Sequence, residues 1–152
     1  LIYEIKYQNA KNKIKPLVNK LCDSMKTLHV TKWLRAIIPV PPSNTERKFQ
    51  PVMEIADSLG KELKMPVCKD CVIKTKKTDY MKNKTEVERK KLLSGIFKVK
   101  NNFIKNKKVL LFDDIYETGS TLKEITRVLY SEGCVENVYV LTVTKTRSKQ
   151  LY

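Results

Sequence analysis

Asp113 and Asp114 stand side by side in the stretch VLLFDDIYETGSTL, and Thr118-Gly119-Ser120-Thr121 follows after a short spacer. An ionised carboxylate only accepts hydrogen bonds. An adjacent pair therefore suits a ligand that donates them, such as two neighbouring hydroxyls of a sugar. The next four residues are rich in donors instead. Gly119 allows a backbone conformation closed to most residues and a close approach by a ligand. The hydroxyls of Thr118, Ser120 and Thr121 add donors, and free amides at the start of a helix, with the helix dipole, favour an anion. Carboxylates for a sugar and donors for a phosphate, a few residues apart, match a ribose 5-phosphate. The plainer alternative is a helix cap. Ser120 to Glu124 contains a Ser/Thr-x-x-Glu pattern, Thr118 would cap the helix, and the aspartates would form a solvated loop.

The elements that must position these groups are read from apolar spacing. Val109 to Phe112 is a continuous apolar run, as in a strand buried on both faces of a parallel sheet. Leu122, Ile125 and Leu129 share one face of a predicted helix from Thr121 to about Ser131, with Gly133 just beyond its end. Ala36 to Val40 is a second apolar strand and runs into the stiff turn Pro41-Pro42-Ser43-Asn44. A helix from Phe49 to about Lys64 carries Val52, Ile55, Ala56, Leu59 and Leu63 on one stripe. Val67 to Ile73 reads as a strand, Glu86 to Leu93 as a helix closed by Ser94-Gly95, Ile96 to Val99 and Asn102 to Ile104 as short strands, and Val135 to Val143 as the last strand. Residues 1–33 are expected to hold the N-terminal helices, the second with Pro16 in its first turn and Leu17, Leu21 and Met25 on one face. Lys74 to Thr85 is polar and basic with no period, and a loop of that length in a compact domain suggests a mobile lid over a site. The alternation predicts one α/β domain over 1–152 with a mostly parallel sheet, whose ligands bind at the carboxyl ends of the strands. Both motifs, Pro39 to Ser43 and Asp113 to Thr121, fall there.

Composition narrows the function. No apolar run approaches the roughly 20 residues needed to cross a bilayer, so a cytoplasmic protein without a membrane partner is the expectation. The formal charge is +15. That invites nucleic acid, but only five of the 31 basic residues are arginine (Arg35, Arg47, Arg89, Arg127, Arg147). Base readers rely on arginine's planar fork, so nucleic acid is secondary and a polyanionic small ligand fits the charge equally well. Cys68-Lys69-Asp70-Cys71 has CxxC spacing without a second pair to complete a zinc site. Read within a strand, its thiols face opposite ways and stay reduced. His29 is the only histidine, which excludes a histidine-rich metal site and argues against a Ser-His or Cys-His catalytic pair.

VLLFDDIYETGSTL resembles the phosphoribosyl pyrophosphate (PRPP) motif of type I phosphoribosyltransferases: apolar residues, two acids, a short variable stretch, then Thr-Gly-x-Thr. The remainder is similar to one branch, the ComF-type competence proteins. LIYEIKY resembles the start of their shared region, IIPVPPSNTERKFQPVMEIADSLGKEL their Val-Pro-Val-Pro segment and following helix, and EVERKKLLSGIFKV their Glu-Arg-basic-basic-Asn-Leu-x-Gly-x-Phe segment. Lys48, Gln50, Pro51, Met81 and Leu92 depart from the pattern, whereas the PRPP motif is intact. Family members often carry an N-terminal zinc ribbon, which is expected to be either absent here or trimmed away.

The resemblance implies a type I phosphoribosyltransferase fold, with a central sheet flanked by helices and a mobile hood formed by residues 74–85. It implies transfer of ribose 5-phosphate from PRPP to a nitrogen acceptor, such as a nucleobase, with release of pyrophosphate. Thr118, Gly119, Ser120 and Thr121 would bind the 5′-phosphate. Pro41, Pro42, Ser43, Arg47 and Lys48 would meet the pyrophosphate. Asp113 and Asp114 would hold the ribose and a Mg2+ ion, directly or through water. Glu117 occupies the position where hypoxanthine-type enzymes place an aspartate facing the purine, so it is either a general base for the acceptor or a surface glutamate. The same resemblance leaves open an accessory role in DNA uptake, with PRPP or single-stranded DNA bound and little catalysis. It also leaves a homodimer open.

Overall fold

A computed structural model of the chain describes residues 2–8, 10–43, 49–75 and 85–146. Its centre is a parallel sheet of β1 (Leu34–Pro39), β4 (Lys108–Tyr116) and β5 (Asn137–Lys145), with β4 in the middle. Val67 adds a single parallel bridge to Ile37 on the outer side of β1. The helices in chain order are α1 (Ile2–Tyr7), α2 (Ile14–Lys26), α3 (Pro51–Leu63), α4 (Glu86–Leu93) and α5 (Ser120–Ser131). β2 (Val72–Lys74) and β3 (Phe97–Val99) pair antiparallel as a separate ribbon.

The apolar run of β4 is buried on both faces because it is sandwiched. Leu110 and Phe112 point to the side where α1, α2 and α3 contribute Ile5, Leu17, Val18, Ile55 and Leu59. Val109 and Leu111 point to the other side and pack with Leu122, Ile125 and Leu129 of α5. This is the period-two alternation of a strand serving two cores. Pro51 stands at the first turn of α3, where its missing N–H costs nothing. Gly60 of the same helix lies so close to the next segment that an added Cβ would stand 2.4 Å from Val67 Cγ2 and 2.7 Å from the Met65 carbonyl oxygen.

Three expectations need correction. β4 does not stop at Phe112 but continues through both aspartates to Tyr116. β1 ends opposite Phe112, while β5 keeps pairing to Tyr116–Lys145 and so carries the strand onward. Val67 to Ile73 is not one strand. Cys68 to Cys71 forms a tight turn between the Val67 bridge and β2, and a disulfide joins the two cysteines across a Cα–Cα distance of 5.4 Å. The turn aims both sulfurs at one point, which a strand cannot do, so they are not separate reduced thiols. Asn102 to Ile104 is likewise a turn, with Ile104 buried beneath it. Most of the predicted loop of residues 74–85 lies outside the described residues, as do Arg47 and Lys48.

Candidate active site

The alternation that builds the two cores also separates the two aspartates. Asp114 continues the Leu110–Phe112 side and is 5% exposed. Asp113 continues the other side and is half-buried. The two remain coupled through the backbone, since the Asp114 N–H donates to Asp113 Oδ1 at 2.8 Å. Burial first, and the charge of Asp114 second, push the Asp113 carboxyl up to about 7, against the pull of that hydrogen bond and of Lys6. Lys6 Nζ, brought in by α1, lies 2.8 Å from Asp114 Oδ2. Apart from this ammonium, Oδ2 is a buried oxygen with no hydrogen-bond donor among the described residues.

The turn after β4 is built around Gly119. Its φ is 74°, a left-handed conformation that other residues rarely adopt. The Tyr116 side chain occupies the space beside it, and a Cβ there would stand 2.6 Å from the Tyr116 hydroxyl. Gly119 is also the N-cap of α5 and has no side chain to cap it. The Ser120 N–H donates to Thr118 Oγ1 at a long 3.4 Å, so the Thr118 cap of the plainer alternative is present in part, whereas its aspartates belong to the end of β4 and not to a solvated loop. Glu124 is drawn away, accepting from the Gly95 N–H at 3.2 Å and from Arg127 at 2.8 Å. Thr118 Oγ1 and Ser120 Oγ lie 3.0 Å apart, so the two hydroxyls converge on the helix start. A twelve-residue helix headed by glycine, with two hydroxyls converging on its start, is suited to an anion.

The Pro41-Pro42-Ser43 turn follows β1 on the same sheet edge. The Val40 N–H donates to the Phe112 carbonyl at 2.9 Å, tying the start of this turn to the residue before Asp113. Glu117 is exposed on the β4–α5 turn, and Thr121 is half-buried in the first turn of α5. Asp113 and Asp114 offer only oxygen ligands, and beyond Lys6 no donor meets Asp114 Oδ2 among the described residues. That suits a magnesium ion that takes most of its ligands from water and a bound phosphate. No cluster of three or more His, Cys, Asp or Glu able to cage a metal occurs among the described residues.

No family model matches the chain. It is similar to Competence protein F of Haemophilus influenzae, 29% identical in an alignment of 148 positions that covers 92% of this chain. The chain spans 64% of the length of that relative. Adenine phosphoribosyltransferase from Trypanosoma brucei, solved with AMP, pyrophosphate and ribose-5-phosphate, superposes with a TM-score of 0.55 at 15% identity over 91% of this chain and 55% of that one. A hypoxanthine phosphoribosyltransferase from Staphylococcus aureus gives 0.52 at 18% identity, over 90% of this chain and 74% of that one. The fold is that of the type I phosphoribosyltransferases.

Within that fold, β4, its following turn and the start of α5 hold Asp113, Asp114 and Glu117 through Thr121 in one continuous strand–turn–helix junction. Pro41, Pro42 and Ser43 lie on the same edge. Two neighbours of these residues were missed from sequence. Tyr116 fills the space that Gly119 leaves, and its ring signalled only a strand end. Lys6 sits in the quoted LIYEIKY segment, but its contact joins segments far apart in the chain. No helix among the described residues is long and apolar enough to cross a membrane.

Proposed function

We propose that the chain binds PRPP with magnesium at the β4–α5 junction and transfers ribose 5-phosphate to a nitrogen acceptor, releasing pyrophosphate. The observation that carries this reading is the junction itself, where a buried carboxylate oxygen met by the Lys6 ammonium precedes a helix start headed by glycine and two converging hydroxyls. The ribose diol would supply hydrogens to Asp113 and Asp114. The 5′-phosphate would accept from the first amides of α5 and from the hydroxyls of Thr118, Ser120 and Thr121. The Pro41-Pro42-Ser43 turn, followed in sequence by Arg47 and Lys48, would face the pyrophosphate. Magnesium held by Asp113 and Asp114, directly or through water, would neutralise charge on the leaving group.

In the transfer, the bond from C1 to the pyrophosphate oxygen breaks, and a bond from C1 to the acceptor nitrogen forms. The acceptor's proton needs a base, and Glu117 on the turn is the group assigned to it. The chain's own contribution is mostly positioning and charge stabilisation. The fold neighbour solved with AMP, pyrophosphate and ribose-5-phosphate supports the ligand class.

A pyrophosphate-release assay with PRPP, magnesium and a panel of nucleobases tests the reading. Release that depends on a particular base supports transfer. Glu117→Gln is expected to lower that turnover by about tenfold or more, and unchanged turnover removes Glu117 from the mechanism.

A second reading has its own observation. Trp33 is 51% exposed near the amino ends of β1 and β4, with Lys32 and Lys108 at 5.2 and 5.5 Å from its ring centre. An aromatic flanked by lysines suits stacking on a single-stranded base. That supports an accessory role in DNA uptake, in keeping with the likeness to a competence protein. Loss of single-stranded DNA affinity in Trp33→Ala, with PRPP binding intact, would favour it.

A further inference from the structure

The ion pair between α1 and β4 lies within the proposed PRPP site, and the inference drawn from it rests on that reading. α1 has six residues, too few to hold a helix in water unaided. It is pinned by Ile5, which is fully buried in the core shared with α2 and α3. It is also tied by an ion pair from Lys13 to Glu4, and the Gln8 N–H donates to the Glu4 carbonyl at 2.9 Å. Lys6 follows the buried anchor directly, so its position is fixed by packing. Its side chain is 26% exposed, against 7% for Asp114. The ammonium thus reaches from solvent to a buried carboxylate.

A carboxylate charged at that depth is costly unless a cation meets it. The ammonium does so at 2.8 Å while its own side chain stays partly exposed, so it has donors left for a ligand. Lysine carries three donors on a compact, rotatable charge, which serves phosphate oxygens without demanding a fixed geometry. In PRPP the diol occupies C2 and C3, and the pyrophosphate is attached to C1, next to C2. A cation 2.8 Å from the oxygen that receives the diol therefore stands beside the pyrophosphate.

We propose that Lys6 is a ligand-binding residue of this site. It is paired with Asp114 in the free chain and contacts the C1 pyrophosphate when PRPP is bound. The N-terminal helix is then part of the site. Lys6 also distinguishes the substrate from a product or analogue that lacks the second anionic group.

The test compares affinities for PRPP and for ribose 5-phosphate, each with magnesium, in the wild type, Lys6→Met, Lys6→Gln and Lys6→Arg. Both uncharged variants are expected to lose at least about tenfold in PRPP affinity and to keep ribose 5-phosphate affinity within about twofold. Lys6→Arg is expected to recover most of the PRPP affinity. The retained ribose 5-phosphate binding reports that the fold and Asp114 are intact. Equal losses for both ligands would make Lys6 only a support for Asp114 and would overturn the proposal, as would no loss for either. A wild type that binds neither ligand would instead sink the PRPP reading, and Lys6 with it.

Discussion

At Gly119 an added carbon would meet the Tyr116 hydroxyl at 2.6 Å and two ring carbons at 2.9 Å, in a left-handed backbone conformation. Gly119→Ala is therefore expected to destabilise the chain by about 1–3 kcal/mol and to weaken PRPP binding. Denaturant titration with a parallel binding measurement checks both. Removing only the hydroxyl, in Gly119→Ala/Tyr116→Phe, is expected to leave most of the defect, because the ring contacts and the φ remain. Asp113 gives a prediction in pH. Its carboxyl is raised to about 7, so the folded chain holds a proton that the unfolded chain has lost above about pH 4. The folded state then binds more protons across that window, and stability falls as pH rises from about 4 to about 7. In metal-free buffer, the wild type is expected to lose stability between pH 5 and pH 8 relative to Asp113→Asn. Parallel pH profiles for the two would contradict the assignment. These residue types were legible from the opening motif, but the unequal burial of the two aspartates was not, since it depends on which helices cover each face.

Among the elements, the buried strands and amphipathic helices were readable because each owes its pattern to one geometric period. β4 was read too short because its last residues are polar. Pairing with β5 carries it onward, and pairing is a long-range property. The Cys68–Cys71 turn was misread for a related reason. Its flanks, Val67 and Val72-Ile73, are good strand residues, and the turn between them was hidden by the run. Lys69-Asp70 is the signal that could have marked it. The packing of α3 on the Val67 segment rests on Gly60, where a Cβ would lie within 2.7 Å of both a methyl and a carbonyl. Gly60→Ala is expected to be destabilising by about 1–3 kcal/mol, although alanine favours helices. A midpoint in denaturant equal to or above the wild type would show that α3 can shift without loss.

Across the whole molecule, two cores occupy opposite faces of one sheet, and the proposed site lies at its carboxyl edge. The β4–α5 junction, the turn after β1 and Lys6 of α1 all arrive at that edge. Short-range motifs announced the first two. The third is made by tertiary packing alone, which is why a conspicuous lysine in the N-terminal segment had no assigned role. Whether the buried acids and the glycine-headed helix start form a PRPP site is decided by calorimetric titration of PRPP with magnesium. The wild type and Asp113→Asn/Asp114→Asn should be measured side by side at moderate salt. Magnesium-dependent binding by the wild type is expected, with a loss of at least about tenfold in the double variant. No binding by the wild type, or equal binding by both, would contradict it.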